Sequence, residues 1–122
     1  MDYQTELTVE IDEIRPGAAI LVLVGEIDMA TDSLIVPAFQ ELADRGLTDV
    51  IVDATGVSFM DSTGLAAFTK GKRIIYERGS RILLVGSPQV RRLLDLVFPE
   101  PLFEARYDTI EQARDALDDD SP

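Results

Sequence analysis

The residues best suited to chemistry lie in one short run, Asp61-Ser62-Thr63-Gly64, where a carboxylate, two hydroxyls and a glycine follow Val57-Ser58-Phe59-Met60 and precede Leu65. This is the junction of an apolar strand with an apolar-faced helix, so a hydroxyl stands at a helix N-terminus. Such an end carries unpaired N–H groups and roughly half a positive charge, which favours an anion; a phosphorylated Ser62 would be an anion held covalently. Asp61, Ser62 and Thr63 can each cap the helix, because each has a short polar side chain able to accept from an N–H two or three residues on. Capping accounts for one of them. It does not account for three in series followed by Gly64, which costs a helix about 1 kcal/mol relative to Ala unless something must approach closely there. A kinase pressing on the loop is one such requirement.

Two further carboxylates have a place near a site. Asp28 closes Gly25-Glu26-Ile27-Asp28 after the second strand, where it either bonds to loop amides or engages a kinase or magnesium. Asp53 stands at the C-terminal end of a central strand, where open α/β sheets place ligand crevices, but an Asp ahead of Thr55-Gly56 is also an ordinary turn former. With no Cys and no His, the chain has no disulfide, thiolate, imidazole base or imidazole metal ligand. Magnesium held by carboxylates alone remains open. No metal or cofactor is assigned, and without a glycine-rich phosphate loop and its lysine a nucleotide hydrolase is a poor fit.

Charge narrows the partners. The 23 acidic and 11 basic side chains give a net charge of -12, which repels nucleic acid and anionic lipid. The one dense basic segment, Lys70 to Arg73 with Arg78 and Arg81 beyond it, lies among apolar helix positions and lacks the interleaved aromatics of a single-strand binder. No apolar run approaches the roughly 20 residues of a membrane span, and Met1 to Glu6 has neither the basic start nor the apolar stretch of a signal peptide. A cytoplasmic protein without nucleic-acid or membrane partners is expected. Its 122 residues suffice for one domain, 1-117, with the acidic residues 118-122 as a disordered tail.

The elements that must position these residues follow from periodicity. Leu7 to Ile11 and Ala19 to Val24 read as a hairpin turning at Arg15-Pro16-Gly17. Leu34 to Arg45 has helical spacing and stops at Gly46, although Pro37 requires the helix to start near Leu34 or to distort. Asp49 to Asp53 reads as a short central strand, followed by a loop carrying the motif. Ser62 to Arg78 is a helix whose Gly64, Ala67 and Gly71 would let it approach the sheet, and Gly79 ends it. Arg81 to Val85 is a strand, Ser87-Pro88 caps a helix running to about Phe98, and Pro99 and Pro101 break the chain before an extended piece around Phe103 to Tyr107. Asp108 to Glu111 has capping-box form and opens a last helix through Leu117. The order β-β-α-β-α-β-α-β-α predicts an α/β domain with a mixed sheet of about five strands and about four helices.

Asp61-Ser62-Thr63-Gly64-Leu65, Gly25-Glu26-Ile27-Asp28 and this element order together resemble the STAS domain of bacterial anti-sigma factor antagonists over nearly the whole chain. The resemblance implies that Ser62 accepts phosphate from a partner-switching serine kinase, with Thr63 the secondary candidate, and that Asp28 lies near Ser62. The partner surface it implies includes Asp28, Asp61, Ser62, Thr63 and Gly64. Leu34 and Ile35 join it because a helix cannot bury Leu34, Ile35 and Val36 against one sheet; Val97 to Phe103 raises the same question. The unphosphorylated protein would capture an anti-sigma factor kinase and free a sigma factor. Phosphate on Ser62 would repel Asp61 and Asp28 while gaining from the helix end, and would end capture because a partner docking over the loop would have to desolvate an unpaired dianion. A phosphatase would reset the switch. The protein would act as a monomer or weak dimer and not as an enzyme. A non-switching STAS subunit of a transporter or stress-sensing assembly is the alternative. A response-regulator receiver with Asp53 as acceptor fits less well, because the chain opens with a hairpin and lacks a lysine after its last strand.

Overall fold

Strand alternation sorts the apolar side chains onto two faces of one sheet, and each face has its own helical cover. The computed structural model describes residues 7–47, 49–79, 81–97 and 105–118. Its elements in chain order are β1 (Leu7–Arg15), β2 (Ala18–Ile27), a 3-10 turn (Asp32–Leu34), α1 (Ile35–Asp44), β3 (Asp49–Met60), α2 (Ser62–Tyr76), β4 (Ile82–Gly86), α3 (Pro88–Val97), β5 (Ala105–Tyr107) and α4 (Ile110–Asp118). The sheet order is β1-β2-β3-β4-β5, with β1 antiparallel to β2 and the remaining pairs parallel. Ala19, Leu21 and Leu23 of β2, Val50 and Val52 of β3, and Ile82 and Leu84 of β4 form one core with α1, α2 and α3. The alternate residues Ala18, Ile20, Ile51, Leu83 and Val85 meet Ala113 and Leu117 of α4 on the other face.

The mixed five-strand sheet and its four helices match the expected fold, and several local expectations are corrected. The third strand does not stop at Asp53. It runs on to Met60 through two register shifts against β2, so that Val22 faces Asp53 while Ile27 faces Met60. Because β4 pairs only with Val50 to Ala54, the second half of β3 projects past its neighbour and carries the chain to Asp61. Likewise Gly25 to Ile27 belong to β2, with Gly25 at φ 124° beside the second shift, a backbone that favours glycine. The 3-10 turn comes first and α1 starts at Ile35, which places Pro37 in the first helical turn, where a missing N–H costs nothing.

Gly71 serves the helix pair and not the sheet. A Cβ there would stand 2.1 Å from Cδ2 of Phe39, whose ring is fully buried and packs edge-on to Phe68 with centroids 6.2 Å apart. Ser87 caps α3 as expected, its Oγ accepting from Val90 N–H at 3.2 Å while donating to the Val57 carbonyl at 2.8 Å, which ties α3 to the projecting half of β3. At α4 the cap is Thr109 and not Asp108: Thr109 Oγ1 accepts from Gln112 N–H, and Gln112 Oε1 reaches back past the cap to accept from Asp108 N–H, so the expected Asp108–Glu111 capping box is not formed. The helix includes Asp118; the expectations for residues 98–104 and 119–122 lie outside the described residues.

Candidate functional site

The β2–β3 ladder ends at Ile27 and Met60, and the next residue, Asp61, donates its N–H to the Ile27 carbonyl at 3.2 Å. This bond fixes where α2 begins. Asp61 is extended (φ -114°, ψ -173°) and is the N-cap, its Oδ1 accepting from Thr63 N–H at 3.0 Å, Gly64 N–H at 3.2 Å and the Thr63 hydroxyl at 2.5 Å. The Thr63 hydroxyl holds the Asp61 carboxyl below its ordinary range against an opposing push from burial, with lesser help from the Gly64 and Thr63 amides. Leu65 N–H donates to the Asp61 carbonyl at 3.2 Å. Of the amides of Asp61, Ser62, Thr63 and Gly64, that of Ser62 alone has no partner among the described residues.

Three similar side chains in series therefore have three different fates. Asp61 caps, half-buried Thr63 spends its hydroxyl on that cap, and Ser62, at the first helical position, is exposed with no side-chain hydrogen bond among the described residues. Gly64 is buried, and a Cβ there would stand 2.6 Å from Ile27 Cγ2 and 2.9 Å from Met60 Cγ. The close approach that selects glycine is thus internal. It is made by the end of the sheet and needs no kinase.

Asp28 stands one residue past Ile27, so its loop borders the Asp61 junction, yet its side chain is occupied locally: Oδ1 accepts from Ala30 N–H at 2.8 Å. Thr31, which the sequence does not single out, organises this loop. Its buried hydroxyl donates to the Glu26 carbonyl at 2.7 Å and accepts from Asp28 N–H at 3.0 Å. Asp53 lies inside β3, not at a strand end or in a turn, and its Oδ1 is occupied locally, accepting from the amide and hydroxyl of Thr55 at 3.1 and 2.7 Å beside the first register shift. Leu34 is 46% exposed, whereas Ile35 is fully buried in the main core and is withdrawn from the partner surface. Two exposed apolar residues near the junction escaped the sequence analysis, Met29 at 79% and Phe59 at 46%. Phe59 looks ordinary in sequence because only the register shift turns it outward. With Ser58 and Met60 it faces Arg92, Leu93 and Leu96 of α3 across a groove of about 260 Å³.

Among the described residues no cluster of three or more Asp or Glu side chains could hold a metal ion. No described helix is long and apolar enough to cross a membrane. The geometry defines a class of protein: an α/β domain that presents a capped helix start, with one free hydroxyl, at the end of a projecting strand. Residues 11–113 match the STAS domain model, and the chain belongs to the STAS-domain family of anti-sigma factor antagonists. It is 28% identical over 101 residues to the anti-sigma-B factor antagonist of Listeria monocytogenes, covering 82% of this chain and 89% of that one. In structure it resembles an anti-sigma factor antagonist from Mycobacterium paratuberculosis (TM-score 0.74, 23% identity, 98% of this chain and 100% of that one). It also resembles the Bacillus cell fate determinant SpoIIAA in its phosphorylated form (TM-score 0.66, 21% identity, 90% of this chain and 99% of that one).

Proposed function

We propose that this protein is a phosphorylation-gated anti-sigma factor antagonist: unphosphorylated, it binds an anti-sigma factor serine kinase and releases a sigma factor, and phosphate on Ser62 ends that binding. The observation that carries the assignment is the division of labour at the start of α2, where Asp61 and Thr63 are bonded to each other and Ser62 alone offers an exposed, unbonded hydroxyl. In the transfer, Ser62 Oγ attacks the γ-phosphorus of ATP on the kinase, the bond to the β-phosphate oxygen breaks, ADP leaves, and the hydroxyl proton passes to a base of the kinase. A phosphatase restores the hydroxyl. The names of the relatives and the phosphorylated form of a protein of the same fold support this assignment. So do the exposed apolar side chains Met29 and Phe59, which lie close in sequence to the two strand ends at the junction.

Binding fails after phosphorylation because seating a partner over Ser62 would strip water from a group of about -1.5 to -2 charge. The test pairs two variants with purified anti-sigma kinases encoded in the same genome, ATP and magnesium. Ser62→Ala is expected to fold and bind normally while gaining no phosphate at any residue by intact mass, and Ser62→Glu to fold but bind much more weakly. Phosphate on Thr63 in Ser62→Ala, or undiminished binding by Ser62→Glu, contradicts the assignment.

A further inference from the structure

The outward face of α2 continues the acceptor site as a single stripe. Ser62, Ala66, Lys70, Arg73 and Glu77 are exposed, and at 100° per residue the four helical positions from Ser62 to Arg73 fall within about 80° of arc. Their opposite numbers Gly64, Leu65, Phe68, Gly71 and Ile75 are buried, which fixes how the helix is turned. At 1.5 Å per residue, Lys70 and Arg73 stand roughly 12 and 17 Å along the axis from Ser62. Ala66 lies between them and Ser62, so nothing bulky on this stripe blocks a flat surface from covering the whole of it.

The cations on the stripe are not neutralised locally. Arg15, Arg45, Arg81, Arg91 and Arg106 each pair with a carboxylate, whereas Lys70 and Arg73, like Arg92 on α3 and Arg114 on α4, have no such pair among the described residues; only Lys70 and Arg73 share a helix face with the acceptor. Lys72, on the flank, lies over the Tyr76 ring at 5.1 Å. Glu77, one turn beyond Arg73, forms no ion pair with it among the described residues. In a protein of net charge -12, two unpaired cations on the face that begins with the acceptor make a local positive window in a negative field.

Resting on the function proposed above, we infer that Lys70 and Arg73 are the docking contacts that place Ser62 in the kinase, and that the kinase surface covering α2 is acidic, with carboxylates roughly 12 and 17 Å from its phosphoryl-transfer site. Recognition is then of a folded helix face and not of the residues flanking Ser62 in sequence. Rim charges of this kind act chiefly on the association rate and on its salt dependence.

The test measures association rate and Kd for each purified anti-sigma serine kinase of the same genome, taken one at a time, at low and high salt. Lys70→Glu and Arg73→Glu are compared with Arg114→Glu, the same charge change at an exposed position of α4 on the opposite face of the sheet. Each α2 variant is expected to weaken Kd about tenfold at low salt, mostly through association and less at high salt, while Arg114→Glu changes it less than about twofold. Equal effects of all three would mean that only net charge matters and would overturn the inference. So would unaltered binding by the α2 variants in a system where Ser62→Glu still abolishes it, which would leave the proposed function standing and move docking elsewhere. If the wild type neither binds a kinase nor gains phosphate, both fall. Binding to phosphatidylglycerol vesicles that is lost in the α2 variants would identify the occupant as a lipid surface and refute an acidic protein partner.

Discussion

Replacing Gly64 by Ala separates two explanations of one residue. A methyl built at Gly64 lies 2.6 Å from Ile27 Cγ2, 2.9 Å from Met60 Cγ and 3.2 Å from the Ile27 carbonyl oxygen, the atom that accepts the Asp61 N–H. None of these can retreat easily, since Ile27 is fully buried, Met60 nearly so, and the carbonyl is backbone. Overpacking costs about 1–3 kcal/mol, and contacts this short against immobile atoms belong to the upper half of that range; Ala in place of Gly returns about 1 kcal/mol of helix propensity, so the net loss is roughly 1–2 kcal/mol. In a domain of this size that is a fall in Tm of about 4–8 °C, measurable by thermal or urea unfolding. Ile27→Ala alone should cost about 2–5 kcal/mol through its cavity. Combined with Gly64→Ala it should cost less than the sum, because the new methyl enters the space that Ile27 vacates. Wild-type stability of Gly64→Ala would refute the clash, and if phosphorylation were lost at the same time the glycine would belong to the kinase contact after all.

Asp61→Ala should lower stability at neutral pH by about 1 kcal/mol through loss of the cap. The Asp61 carboxyl titrates below 3.8 when folded, so its contribution is complete above the unfolded value and is lost as pH falls through the folded one. The gap in urea midpoint between wild type and Asp61→Ala should accordingly narrow below pH 3.8, and a gap constant down to acid unfolding would contradict the hydrogen-bond geometry. Leu34→Ala should change stability by no more than about 0.5 kcal/mol yet weaken kinase capture, whereas Ile35→Ala should cost about 2–5 kcal/mol and affect capture only as far as it unfolds the protein. Calorimetry on both variants with a capture assay decides; the reverse pattern would return Ile35 to the interface.

Periodicity made the fold legible because both faces of the sheet are buried where β2, β3 and β4 meet, so Leu21, Val52 and Leu84 had to alternate with Ile20, Ile51 and Leu83. It failed where the chain departs from regular register. Asp53-Ala54-Thr55-Gly56 reads as a loop because its residues favour turns, but pairing with β2 holds it as strand through a bulge. That override hid the projecting half of β3 and, with it, the exposure of Phe59. Ile35 was misplaced for a related reason: three consecutive apolar residues require that one face outward, and only the 3-10 turn before α1 decides that it is Leu34. The capped start of α2 was legible as a motif, though not the assignment of roles within it, which depends on which hydroxyl the Asp61 carboxylate reaches.

Those roles alter how a phosphate would act. A helix N-terminus ordinarily welcomes an anion because its first amides are free. Here Asp61 already occupies the Thr63 and Gly64 amides and its carbonyl that of Leu65, so a phosphate on Ser62 would find neither these donors nor an uncharged neighbour. It would gain less from its own helix than position alone suggests, and the carboxylate of Asp61, its pKa lowered by the Thr63 hydroxyl, would repel it. A phosphate facing solvent leaves the fold nearly untouched and places its whole charge where a partner must sit. The same cap that makes Ser62 the free hydroxyl thus also keeps its phosphate from being absorbed by the protein that carries it, which is what a switch of binding, and not of folding, requires.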